Sequence, residues 1–133
     1  MTTRREPTAS DESIAFWDAT RSQRFVLPWC TDCDIAIWYP RLVCPQCRGT
    51  AVEWRDASGA ATVHAYSIHW KPGNGRVEDD GPYVVALVDL AEGARMMTNI
   101  VGCPVDAVTV GMPVHLEWEP LSDGRHLPVF RPA

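Results

Sequence analysis

The chain has 133 residues, 46% of them apolar and 22% charged, with a formal net charge of −5. That is one domain of ordinary size with enough apolar material for a core, and it argues against wholesale disorder. The longest apolar run falls short of the roughly eighteen residues that a membrane-crossing helix needs, so no membrane partner is expected. The acidic balance opposes a nucleic-acid partner held through its phosphates.

The start, "MTTRREPTASDES", is polar and lacks the apolar segment of a secretory signal. The expected compartment is the cytoplasm, where thiols stay reduced. Residues 1–24 read as a loose tail followed by a docking helix, "SDESIAFWDATRSQR". Ser10 is the expected cap, with Asp11 and Glu12 suited to the positive end of the dipole. Ile14 and Trp17 share one face, with Arg21 one turn further on. So short an apolar stripe cannot fold alone; it must dock on the rest of this chain or on another protein.

Residues 25–55 hold two C-x-x-C pairs, Cys30/Cys33 and Cys44/Cys47, ten residues apart. Short strands are predicted in "RFVLPWC", "IAIWYP" and "RGTAVEW". Residues 56–133 carry further strand patterns: "ATVHAYSIHW", "PYVVALVDL", "ARMMTNIVG", "MPVHLEWEP" and "LPVFRP". The second is apolar on both faces and is expected to be central. In the fourth, Val114, Leu116 and Trp118 alternate with His115, Glu117 and Glu119. So many short strands in so few residues fit a five-stranded OB-type barrel better than a sandwich. "KPGNGRVEDDGP", Lys71 to Pro82, is the one long polar loop and is expected to be mobile. The fold class expected is mainly β: an N-terminal helix, a rubredoxin-like zinc ribbon, then the barrel.

A C-x-x-C turn places two sulfurs on one side of a tight bend. Two such turns facing each other put four sulfurs at the corners of a tetrahedron about 2.3 Å from a Zn²⁺ ion. Five cysteines is an odd number, and Cys103 lies apart, which weighs against a disulfide framework. Zn²⁺ at Cys30, Cys33, Cys44 and Cys47 is therefore expected, and iron in a rubredoxin-like site is the rival. Gly49, two residues past Cys47, is the expected left-handed position, while Asp34 stands directly after Cys33. Cys103 reads as an inert, buried thiol.

No catalytic set converges. His64 and His69 are five apart on one predicted strand and so should face opposite ways; His115 falls on a polar face and His126 in a turn. No nucleophile elbow, H-E-x-x-H run or phosphate loop is present. With four thiolates and no open coordination position, the metal is structural, and the chain reads as a binding or accessory protein.

The run "FWDATRSQRFVLPWCTDCDIAIWYPRLVCPQC", the turn at Glu92, Gly93 and Arg95, and the closing Pro128, Phe130 and Pro132 resemble the zinc-ribbon plus OB-fold family labelled domain of unknown function thirty-five. The resemblance implies a non-catalytic, zinc-binding accessory subunit of a thiolase-superfamily enzyme. That enzyme would be a thiolase or retro-aldolase acting on acyl-CoA thioesters, with sterol side-chain degradation among the settings. It also implies a hetero-oligomer with a thiolase-like partner that holds the catalytic residues, met through the N-terminal helix and ribbon or the barrel edge. Acyl-CoA phosphates would call for arginine, for which Arg21, Arg24, Arg41 and Arg48 are candidates, with Arg95 matching the family's turn arginine. Six tryptophans, among them Trp17 and Trp38, suggest an aromatic partner interface. The rival readings are a nucleic-acid-binding ribbon and barrel, or an iron-binding electron carrier.

Overall fold

The computed structural model describes residues 6–70 and 81–133. Apart from Gly81 and Pro82, the polar loop expected between Lys71 and Pro82 lies outside the described residues. One short helix, α1 (Ile14–Thr20), precedes a small sheet and a closed barrel. Among the described residues, no helix is long and apolar enough to cross a membrane.

Helix α1 starts later than expected. Ser10 is not its cap: the Ser10 N–H donates to Ser13 Oγ at 2.9 Å, and Ser13, itself buried, takes the N-cap position. The two serines satisfy each other in a turn, so the first helical turn begins only at Ile14. Nor is Ile14 part of the buried stripe; it is exposed, and the docked face is Phe16, Trp17 and Thr20. This face packs on the same chain. At its end, Thr20 Oγ1 accepts the His126 backbone N–H at 3.1 Å, and the Thr20 carbonyl lies 2.8 Å from His126 Nδ1 and accepts its proton. His126 therefore clamps the helix to the barrel.

The small sheet has the order β2–β1–β3, from β1 (Val26–Cys30), β2 (Ile35–Ala36) and β3 (Val52–Asp56), all antiparallel. The strand predicted over 35–40 shrinks to two residues because the chain turns away to bury its side chains. Ile37 goes under the cysteines, and Trp38 packs edge-to-face on Phe16, ring centroids 5.0 Å apart.

The barrel comprises β4 (Ala60–His69), β5 (Tyr83–Leu90), β6 (Arg95–Ile100), β7 (Pro113–Pro120) and β8 (His126–Pro132), closed in the order β4–β5–β6–β8–β7. Closure removes sheet edges, and β6–β8 is the parallel pair. Strand β5 lies between β4 and β6 as expected; its inward residues are buried and its outward ones half-buried. A register shift between Val63 and Ala65 breaks the simple alternation through His64. His64 comes within 3.6 Å of Asp89, and His69 stacks on Tyr83. At the joint between ribbon and barrel, Gly59 has φ +85°, and a Cβ there would meet Leu116 Cβ at 3.0 Å, so no other residue fits without a shift.

Helix, lower ribbon and barrel share one core. Phe25 in the ribbon lies edge-on to Phe16, Trp118 and Phe130, at 6.4, 6.3 and 6.4 Å. A second, much smaller cluster holds Cys30, Ile37 and Cys44. Phe25→Ala is expected to destabilise the fold by about 3–5 kcal/mol in denaturant unfolding. The half-exposed Ile14 should lose only about 0.5 kcal/mol on change to Ala. Equal losses would contradict this account of how α1 docks.

Candidate metal centre

The four clustered cysteines come from two turns that the ribbon brings face to face. Cys30 ends β1, Cys33 lies in the turn that leads into β2, and Cys44 and Cys47 sit on the second turn before β3. Their sulfurs lie within 4.8 Å of one another. Cys30 Sγ and Cys47 Sγ are 3.8 Å apart, and Cys44 Sγ and Cys33 Sγ 4.0 Å. A tetrahedral ion with bonds of about 2.3 Å to sulfur requires sulfur–sulfur edges of about 3.8 Å. A disulfide requires about 2.05 Å, and all five cysteines are free. The donor set therefore fits one metal ion with no open position.

Each turn is built to receive thiolates. The Cys33 N–H points at Cys30 Sγ, the Gln46 N–H at Cys44 Sγ and the Gly49 N–H at Cys47 Sγ, each at 3.4 Å. N–H donors of this kind stabilise negative sulfur. The left-handed residue in each turn is the one directly after the second cysteine: Asp34, φ 56°, and Arg48, φ 62°. Gly49, expected in that role, is not left-handed. It lies close against the sulfur, where a Cβ would stand 3.3 Å from Cys47 Sγ. Asp34 is held by its side chain, which accepts the Trp29 indole N–H at 3.1 Å, while the Arg55 guanidinium lies over that indole at 4.9 Å.

As thiols the four do not behave alike. Cys33 is pushed up to about 12, first by its hydrogen bond with Cys47, and Cys44 is lowered to about 7, first by the Cys47 backbone N–H. A metal must displace the proton that Cys33 keeps, while Cys44 already loses its own near neutrality. Cys103 stands apart from the cluster, half-buried against the main core.

The cationic and aromatic candidates divide sharply. Arg21 donates to the Asp123 carbonyl and lies 3.7 Å from Asp18. Arg24 donates twice to Asp56, at 3.2 and 2.9 Å. Arg95 bonds Asp89 across the β5–β6 hairpin at 2.6 Å, and this guanidinium holds the Asp89 carboxyl below its ordinary value. These three are engaged within the chain. Arg41 and Arg48 have no ion pair among the described residues, and both line one hollow beside Cys44. Trp17 is buried and Trp38 half-buried, both against the main core, so most indole surface is used internally; of the six tryptophans only Trp70 is exposed.

A tetrathiolate ribbon fused to a closed five-stranded barrel defines the class: a ribbon plus OB-fold protein. Comparison with known proteins agrees. Residues 17–53 match the family model described as ChsH2, rubredoxin-like zinc ribbon domain, and residues 54–119 match ChsH2, C-terminal OB-fold domain. A solved chain titled "Ltp2-ChsH2(DUF35) aldolase" aligns with a TM-score of 0.83 and 35% identity, over 96% of this chain and 98% of that one. A probable enoyl-CoA hydratase alpha subunit of Thermomonospora curvata is 38% identical over 94% of this chain. A DUF35 domain-containing scaffold protein of Methanothermobacter thermautotrophicus is 36% identical over 65% of this chain and 65% of its own length. The chain spans 39% of the length of the Thermomonospora relative. This chain belongs to the ChsH2 family of zinc-ribbon and OB-fold proteins, the DUF35 group.

Metal affinity is expected to rise steeply with pH up to about 7, where Cys44 loses its proton, and less steeply above, because one proton fewer is then displaced per ion. Competition with a chromophoric chelator across pH 5–9, a range of about two units either side of that value, measures it. A flat profile would contradict the assignment. Gly49→Ala should weaken metal binding in the same assay by crowding Cys47 Sγ.

Proposed function

We propose that this chain is a non-catalytic, zinc-binding accessory subunit of a thiolase-superfamily enzyme, a thiolase or retro-aldolase acting on acyl-CoA thioesters. The observation that carries the reading is the likeness, over nearly the whole of both chains, to the chain titled as an Ltp2-ChsH2(DUF35) aldolase. The scaffold name of the Methanothermobacter relative supports the accessory role.

The chain works as an N-terminal tail and docking helix over residues 1–24, a ribbon over 25–55 and a barrel over 56–133. Cys30, Cys33, Cys44 and Cys47 hold zinc, which suits four thiolates and brings no redox chemistry of its own. A closed tetrathiolate has no position for substrate, so bond breaking falls to the partner. Four metal-binding thiolates suit a reducing compartment, which supports a cytoplasmic setting. Of the residues tied to partner or acyl-CoA binding, Arg41 and Arg48 remain available for an external ligand. Arg21, Arg24 and Arg95 shape the fold through their acids, and Trp17 and Trp38 do so through the core.

Co-expression with the thiolase-like protein encoded nearest to this chain tests the proposal. A stable hetero-oligomer whose thioester-cleaving activity depends on both chains is the expected result. Cys44→Ser should abolish the activity by undoing the ribbon. Separate elution at micromolar concentration, or turnover of a CoA thioester by this chain alone, would contradict the proposal. A visible thiolate-to-iron absorption band in the purified protein would favour the electron-carrier reading instead.

A further inference from the structure

The arginines of this chain follow one pattern with two departures. Arg21, Arg24, Arg55, Arg95, Arg125 and Arg131 are each paired with a carboxylate of the same chain, namely Asp18, Asp56, Glu53, Asp89, Asp123 and Glu117. Arg41 and Arg48 complete the arginines among the described residues, and neither has such a partner there. Both belong to the second cysteine turn and the segment leading into it, and both line a hollow of about 520 Å³ with Tyr39, Val43 and Cys44. The acid at that hollow is Glu12, whose Oε2 accepts the Leu42 backbone N–H at 3.2 Å.

The same segment carries apolar surface that the fold does not cover. Tyr39 is 46% exposed, Leu42 54% and Val43 44%. Three large apolar side chains within five residues thus share one segment, 39–48, with the two guanidinium groups that have no ion pair among the described residues. That combination suits a protein interface, in which an aromatic or aliphatic centre is buried and charges at the rim set orientation. A free phosphate would need the arginines and would leave the apolar side chains uncovered.

We propose that Tyr39, Arg41, Leu42, Val43 and Arg48 form the docking surface for a protein partner that presents an apolar patch edged with carboxylates. The inference rests on the accessory role proposed above and names the surface through which that role is exercised. Charge complementarity carries it. On a chain of net charge −5, cations with no partner acid among the described residues favour the approach of an acidic partner at this patch, so the patch both attracts and orients. The metal turn builds the surface: Arg48 follows Cys47 with its backbone left-handed, at φ 62°, and Pro40 to Val43 span the gap into Cys44. Loss of the metal would scatter the patch, which explains why a protein with no chemistry at its metal would keep one.

The test uses the full chain and the thiolase-like protein encoded nearest to it, with association read by calorimetry. R41E/R48E and, separately, Leu42→Asp are expected to weaken association about tenfold or more. Val110→Asp, at an apolar residue 67% exposed on the barrel, should bind like the wild type. Wild-type affinity should fall with salt, and that of R41Q/R48Q should fall less. Metal content and circular dichroism identify any variant that has failed to fold, and hydrogen exchange of the unmodified complex gives an independent reading, with protection expected over residues 39–48. If the complex forms but the variants bind normally, or protection falls on the barrel instead, the docking surface is wrong and the accessory role stands. If the wild type forms no complex, both fall. If coenzyme A alone binds the isolated chain and R41E/R48E abolishes that binding, the patch is a phosphate site and the proposal is overturned.

Discussion

Four sulfurs must converge because the upper ribbon has almost nothing else to hold it. Its own buried cluster is Cys30, Ile37 and Cys44, with Cys33, Ile35 and Val52 packed partly against it. Burying one isoleucine contributes about 1.5–3 kcal/mol. A structural zinc site supplies apparent binding energies of about 10–16 kcal/mol in small peptides, so the metal outweighs the local core several-fold. The N–H groups of Cys33, Gln46 and Gly49 are spent on sulfur rather than on a sheet ladder. The two left-handed residues, Asp34 and Arg48, carry backbone strain of about 1–2 kcal/mol each. Both arrangements make sense only around an ion.

Below that knot the chain changes its means of stabilisation. The lower ribbon, α1 and the barrel join in one aromatic-rich core, with Phe25 as the hinge between Phe16, Trp118 and Phe130. The ribbon is thereby fixed to the barrel at one end by packing and organised at the other by metal. The surface between Tyr39 and Arg48 hangs on the metal end. Order at the knot thus passes directly to the residues proposed to meet a partner.

The cysteine pairs were legible because ligand spacing is local, and the barrel strands because side-chain alternation is local. Features that depend on distant residues were not. The clamp between Thr20 and His126, and the pairing of Arg24 with Asp56, join segments that no short window compares. The packing of Trp17 and Trp38 on the main core depends on residues far away in sequence, which a count of tryptophans does not reveal. Residue type alone points to Gly49 for the left-handed position. A Cβ there would crowd Cys47 Sγ, and the left-handed backbone falls on Arg48 instead. The polar start of the helix invited a cap at Ser10, but the mutual bonding of Ser10 and Ser13 moved the start inward.

Backbone amide NMR of the purified chain before and after zinc is stripped by a chelator probes the central claim most directly. The account predicts one ion per chain, collapse of the signals from Cys30 to Val52 on stripping, and persistence of those from the barrel strands. A metal-free chain with every ribbon amide still dispersed would contradict it.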